Sequence, residues 1–224
     1  MTILVPIDAT APSRAAVEVA TALAARDGSD LVLMHVHPGP EPAGLDLLAS
    51  LHGIAEPVRS LGVSVRLRVR TGDPIREVCG WAQRHGMQLV VTGTRGGPLV
   101  GAESVPSMAR ALMKCSTVPV LAVRPGNDGL GPGRGPVRLV AERPSLAGEV
   151  AQLLAEVWDR VLEPSSIEQL PAGTTSESDG SLTVLAFDPS CSASHSCGRL
   201  VENRPEVIVL VSDLTCGCGR VSPA

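Results

Sequence analysis

Five short apolar runs, separated by amphipathic stretches of helical length, fill the first 125 residues, and no other feature narrows the fold as much. Thr2 to Ile7 reads as a buried strand. Ser13 is the expected cap of the next helix, whose apolar positions Ala16, Val17, Ala20 and Leu23 recur at helical spacing until Asp27-Gly28 stops it. Leu31 to His37 is predicted as a second strand and, after a Pro/Gly-rich loop, Leu45 to Leu61 as a helix. Val63, Val65, Leu67 and Val69 then alternate with Ser64, Arg66, Arg68 and Arg70, the pattern of a strand with one wet face at a sheet edge. Asp73-Pro74 supplies a cap and a first helical proline, Ile75, Val78, Cys79 and Ala82 form that helix's inner stripe, and Gly86 ends it. A strand from Leu89, a helix from Ser107 and a strand from Val118 complete the series. Strict β-α alternation in a compact unit predicts an α/β fold, a parallel sheet with helices on both faces.

Residues 126–136 hold five glycines and two prolines and read as a linker between a unit at 1–125 and a smaller one at 137–224. Gly129 to Gly133 is loosely like a dinucleotide loop, but it leads into a strand where that motif needs a helix. Beyond it the pattern predicts a strand at Val137 to Ala141 and a helix carrying Val150, Leu153, Leu154, Val157, Trp158 and Val161 on one face. Two buried strands follow at Leu182 to Phe187 and Val207 to Val211, with a weak helix between them near Ser194 to Asn203. The second half looks like a shortened, degenerate α/β echo of the first.

Composition excludes several functions. Phe187, Trp81 and Trp158 are the whole aromatic set, which leaves no stacking platform for single-stranded nucleic acid. The net charge is -4 and no basic block occurs, so a phosphate-backbone footprint is missing too. No apolar run approaches bilayer length, and no basic region precedes the first strand. The expectation is a cytoplasmic protein that engages neither nucleic acid nor membrane, with its cysteines as thiols. Cys79 and Cys115 are expected on helical core faces, whereas Cys191, Cys197, Cys216 and Cys218 gather towards the end of the chain.

The fourth strand runs into Gly93-Thr94-Arg95-Gly96, and nine residues separate Gly96 from Pro106-Ser107 at the next helix start. Small residues let backbone amides approach an anion, and a helix opening on a hydroxyl residue adds unpaired N–H groups and a positive dipole end. The spacing therefore fits a phosphate cradle; equally, Gly93 and Gly96 serve a tight strand-to-helix connection.

These residues resemble the universal stress protein family. Ile3-Leu4-Val5-Pro6-Ile7-Asp8 is similar to the family's first strand with its terminal aspartate, and Thr10 and Ser13 follow where small hydroxyl residues belong. Gly72-Asp73-Pro74 resembles the element before the third helix, and Val118 to Arg124 resembles the last strand. The glycine spacing resembles the ATP motif Gly-x2-Gly-x9-Gly-(Ser/Thr), and the likeness covers residues 1–125 only. It implies an open five-stranded parallel sheet in strand order 3-2-1-4-5 and a non-catalytic stress-response module that binds an adenine nucleotide, ATP. At matching positions it implies that Asp8 accepts hydrogen bonds from ribose hydroxyls and that backbone near Val36 meets the adenine edge. Gly93 and Gly96 would let amides reach the phosphates, Arg95 would lie beside them, and Ser107 would donate from the helix start. It further implies a homodimer through the last strand, or an intrachain pseudo-dimer in which the second half covers that edge.

Pro106 stands where the third motif glycine belongs and has no N–H to donate. One missing charge-assisted hydrogen bond costs on the order of 1.5–3 kcal/mol of affinity. Two alternatives stay open: an interaction scaffold that has lost the nucleotide, or a thiol or metal sensor built on Cys191, His195, Cys197, Cys216 and Cys218. His35 and His37 share a strand face and are read as pocket-lining or packing residues, because no nucleophile is placed beside them. Arg66, Arg68 and Arg70 read as a solvated sheet edge that resists aggregation.

Overall fold

The computed structural model describes residues 1–8, 10–39, 44–94, 108–124, 137–140, 146–157, 159–164, 182–187 and 207–212. Strand β1 (Thr2–Pro6) is flanked by β2 (Asp30–His37) and β4 (Leu89–Gly93); β3 (Val65–Thr71) lies outside β2, and β5 (Val120–Arg124) outside β4. All four pairings are parallel, which gives the predicted order 3-2-1-4-5.

Strands β1, β2, β4 and β5 carry apolar residues at successive positions because both of their faces are covered. Ile3, Val5, Leu31, Leu33, Val91 and Leu121 pack with α1 (Ala11–Asp27) and α2 (Leu45–Ser60) on one face. Leu4, Val32, Met34, Val90, Val120 and Ala122 pack with α3 (Pro74–Arg84) and α4 (Met108–Cys115) on the other. Each fully buried Leu, Ile or Val contributes roughly 1.5–3 kcal/mol, so these two layers are what fixes the register of the sheet.

Local signals set most boundaries. Asp73 caps α3 by accepting from the Arg76 N–H at 2.8 Å, with Pro74 in the first turn. Gly28 closes α1 in the left-handed conformation, φ 64°, its N–H donating to the Ala24 carbonyl. The expected cap at Ser13 is corrected: α1 begins at Ala11, after Thr10, and Ser13 is buried inside its first turn. Pro12, favoured in a first turn, starts the helix earlier than the hydroxyl signal indicates. At the free edge, β3 exposes Arg66, Arg68 and Arg70. Arg66 pairs with Asp30 at 3.4 Å and Arg70 with Glu77 at 3.0 Å.

The second half continues the same sheet. Strands β6 (Val137–Val140), β8 (Leu182–Phe187) and β9 (Val207–Ser212) form as the apolar runs predict. Helix α5 (Leu146–Val157) buries Val150, Ala151, Leu154 and Ala155. The short β7 (Leu162–Pro164) was not foreseen, since three residues carry no periodicity to read. The full order is β3-β2-β1-β4-β5-β9-β8-β6-β7, with β9 antiparallel to β5 and the remaining pairs parallel. The second set thus mirrors the first outward from the β5–β9 seam, as a shortened copy would. Residues 126–136, the expected helix at 194–203 and the cysteines at 191, 197, 216 and 218 lie outside the described residues.

Candidate functional site

In a sheet of this order the chain leaves β1 for β2 on one side and β4 for β5 on the other. A crevice therefore opens at the carboxyl ends of β1 and β4. Asp8 follows the end of β1 and is exposed. Its Oδ1 accepts from the Thr10 N–H at 3.1 Å and the Thr10 hydroxyl at 2.6 Å, a turn that leaves Oδ2 with no partner among the described residues. The Asp8 N–H donates to Ser13 Oγ at 3.2 Å, which ties the strand end to the first turn of α1.

That same turn meets β4. A side chain on Gly93 would collide with the carbonyl of Pro12 and approach the Pro12 Cβ to 2.8 Å. Gly93 is thus required for the close passage of α1 over β4, the packing reading of this glycine, and that side of it is closed to a ligand. Pro12 and Ser13 bring the ends of β1 and β4 together, a role that the sequence does not signal, since Pro12 marks only the start of α1. Beyond Gly93, Thr94 is buried and its N–H donates to the Val123 carbonyl at 2.8 Å.

Strand β2 forms the third wall. His35 Nδ1 lies 2.9 Å from the Ile7 carbonyl. A carbonyl only accepts, so the proton sits on Nδ1. The Ile7 N–H in turn donates to the Met34 carbonyl at 2.8 Å, so the β1 and β2 ends are cross-tied. Val36, in register with Arg70 of β3, rests its side chain on the cluster beneath α3 and α4. Asp8, Val36 and Gly93 therefore stand at the carboxyl ends of three adjacent strands. Arg95, Gly96, Pro106 and Ser107 lie outside the described residues.

Among the described residues no group of three or more His, Cys, Asp or Glu could hold a metal ion. No helix among them is long and apolar enough to cross a membrane. Cys79 packs against the cluster beneath α3 and α4 as expected. Cys115 corrects its expectation: it is exposed, because the last turn of α4 overhangs the core that Leu112 and Met113 enter.

An open, doubly wound arrangement of five parallel strands, with an aspartate at its switch point, defines an α/β protein of the 3-2-1-4-5 class. The chain belongs to the universal stress protein family, whose model matches residues 1–124. Among solved structures, a universal stress protein from Archaeoglobus fulgidus is 12% identical with a TM-score of 0.60, over 95% of this chain and 96% of that chain. A functionally unknown protein from Pseudomonas aeruginosa is 14% identical with a TM-score of 0.59, over 95% of this chain and 92% of that one. Both similarities extend through the second half of the fold. A family protein from Arabidopsis thaliana with AMP bound is 18% identical, TM-score 0.46, over 57% of this chain and 94% of that chain. No curated protein matches the chain.

Proposed function

We propose that residues 1–125 bind an adenine nucleotide, ATP in the first instance, and that the protein is a non-catalytic, cytoplasmic stress-response module. The observation that carries this reading is Asp8, an exposed carboxylate at the β1–β4 switch point with one oxygen uncommitted. A ribose offers two adjacent hydroxyl donors, which a carboxylate accepts well. The backbone of β2 around Val36 would meet the adenine edge. Amides from Gly93 to Gly96, with Arg95 beside them and Ser107 at the start of the next helix, would hold the phosphates. Hydrolysis is not part of the reading: no acidic pair for a metal and no general base accompanies the glycine segment in the sequence.

Residues 137–224 form, in this reading, a smaller unit joined through the linker at 126–136. By pairing β9 with β5 it takes the place of a second copy and makes an intrachain pseudo-dimer.

A scaffold that has lost the nucleotide is the competing reading, favoured by Pro106 and by the closed side of Gly93. Native mass spectrometry for a copurifying nucleotide, then ATP titration of the wild type and Pro106→Gly, separates the two. Binding by the wild type, tightened roughly ten-fold or more by Pro106→Gly, supports the nucleotide reading, the gain being one charge-assisted hydrogen bond. If neither protein binds, the scaffold reading stands. Elemental analysis tests the metal version of a sensor at Cys191, Cys197, Cys216 and Cys218, which requires stoichiometric zinc or iron.

A further inference from the structure

Cys79 and Cys115 are 36 residues apart in sequence, yet they meet where α3 and α4 pack together. Cys79 sits mid-way along α3, against the apolar layer that Ala109, Leu112 and Met113 of α4 share. Cys115 closes α4, its thiol turned back toward the Leu112 carbonyl at 3.9 Å, and it lies near enough to Cys79 across the α3–α4 contact to act on the Cys79 thiol electrostatically. One thiol is exposed and the other is half-buried behind it. We infer that Cys79 and Cys115 are a peroxide-responsive dithiol, with Cys115 the sulfur attacked by oxidant and Cys79 the resolving thiol, closing to a disulfide that clips α3 to α4.

The geometry assigns the roles. An oxidant from solvent reaches Cys115 first. Burial, with the neighbouring Cys115 adding to it, pushes the Cys79 thiol up to about 12, so Cys79 is a poor first nucleophile and is protected while reduced. The Cys115 thiolate attacks one peroxide oxygen, the O–O bond breaks, and the leaving hydroxide takes a proton to become water, leaving a sulfenic acid on Cys115. Cys79 then gives up its proton and attacks the sulfenic sulfur. The S–S bond forms, the S–O bond breaks, and the hydroxyl leaves with that proton as a second water. Two thiols lose two electrons and two protons in total, and hydrogen peroxide becomes two waters. The half-buried resolving thiol makes the second step slow at neutral pH and faster as the solution is made alkaline. The assignment is independent of nucleotide binding, and it does not involve the cysteines at 191, 197, 216 and 218.

Tryptic mapping of the peroxide-treated full chain under non-reducing conditions tests it. Cleavage after Arg76, Arg84, Lys114 and Arg134, the Arg124–Pro125 bond resisting trypsin, releases Glu77–Arg84 and Cys115–Arg134, each with one of the two cysteines. The expected result is these two peptides linked, at the mass of their sum less two hydrogens, and separated by reductant. In Cys79→Ser, Cys115 should remain a sulfenic acid trapped by dimedone; in Cys115→Ser, Cys79 should remain an unmodified thiol. The inference is overturned if the wild type yields no linked pair, if Cys115 links instead to a tail cysteine or to a second chain, or if Cys79 oxidises without Cys115. The wild-type map alone decides should either variant fail to fold.

Discussion

The Arg26 guanidinium at the end of α1 donates to the Glu156 carboxylate of α5 at 2.8 Å, joining two helices from opposite halves of the chain. Gln152, one turn earlier on α5, donates to the same carboxylate at 2.8 Å. Together they hold the Glu156 carboxyl below its ordinary value of 4.5, the Gln152 hydrogen bond most and Arg26 next. A folded-state value below the unfolded one gives stability that is complete above the ordinary value and is lost as the pH falls from there through the lower folded-state value. Glu156→Gln should therefore lower the unfolding midpoint slightly near neutral pH and leave it equal to wild type well below the carboxylate range. Urea titrations at the two pH values check this; a difference that persists in acid would remove the ion pair as its cause.

Gly93→Ala should destabilise the fold by about 1–3 kcal/mol, because the added methyl has to displace the Pro12 backbone and with it the start of α1. Chemical denaturation measures the shift, and a neutral result would mean that α1 can slide over β4.

Asp8→Ala should weaken adenine-nucleotide binding roughly ten- to over a hundred-fold, the value of one or two charge-assisted hydrogen bonds. The accompanying loss of the Thr10 turn costs only about 0.5–1.5 kcal/mol of stability. Calorimetric titration beside thermal unfolding separates the two effects, and affinity unchanged in Asp8→Ala would take the ribose away from this carboxylate.

A chain ending after Arg124 should self-associate. Without β9, the backbone donors and acceptors on the outer side of β5 lack partners, and a second copy offers the same edge. Sedimentation of the short chain beside the full chain reads the difference; a monomeric short chain would show that the edge is shielded some other way.

The apolar runs made the sheet and its helices legible from the sequence, because β1, β2, β4 and β5 are covered on both faces, β3 alternates apolar with exposed arginine at the edge, and each helix buries one face. The Asp73-Pro74 start and the Gly28 stop were readable for the same reason: each is set by local chemistry. Ser13 misled because a hydroxyl near a helix start looks alike whether it caps the helix or bonds the preceding strand, as it does to Asp8. The closed side of Gly93 depends on Pro12, a residue distant in sequence, and no local pattern encodes that approach. The meeting of Cys79 with Cys115 was hidden likewise, since it arises from how two helices cross.

The seam at Leu121–Arg124 and Ile208–Val211 also sets an order of assembly. Every pairing inside the first five strands can close before the second half is made, whereas β9 emerges roughly 80 residues later, about 4–16 s at ordinary synthesis rates. During that interval a nascent chain carries a bare strand edge into a crowded ribosome neighbourhood. Slow translation downstream of residue 124 should therefore favour aggregation, and chaperones that shield exposed edges should matter most to this protein while it is still being born.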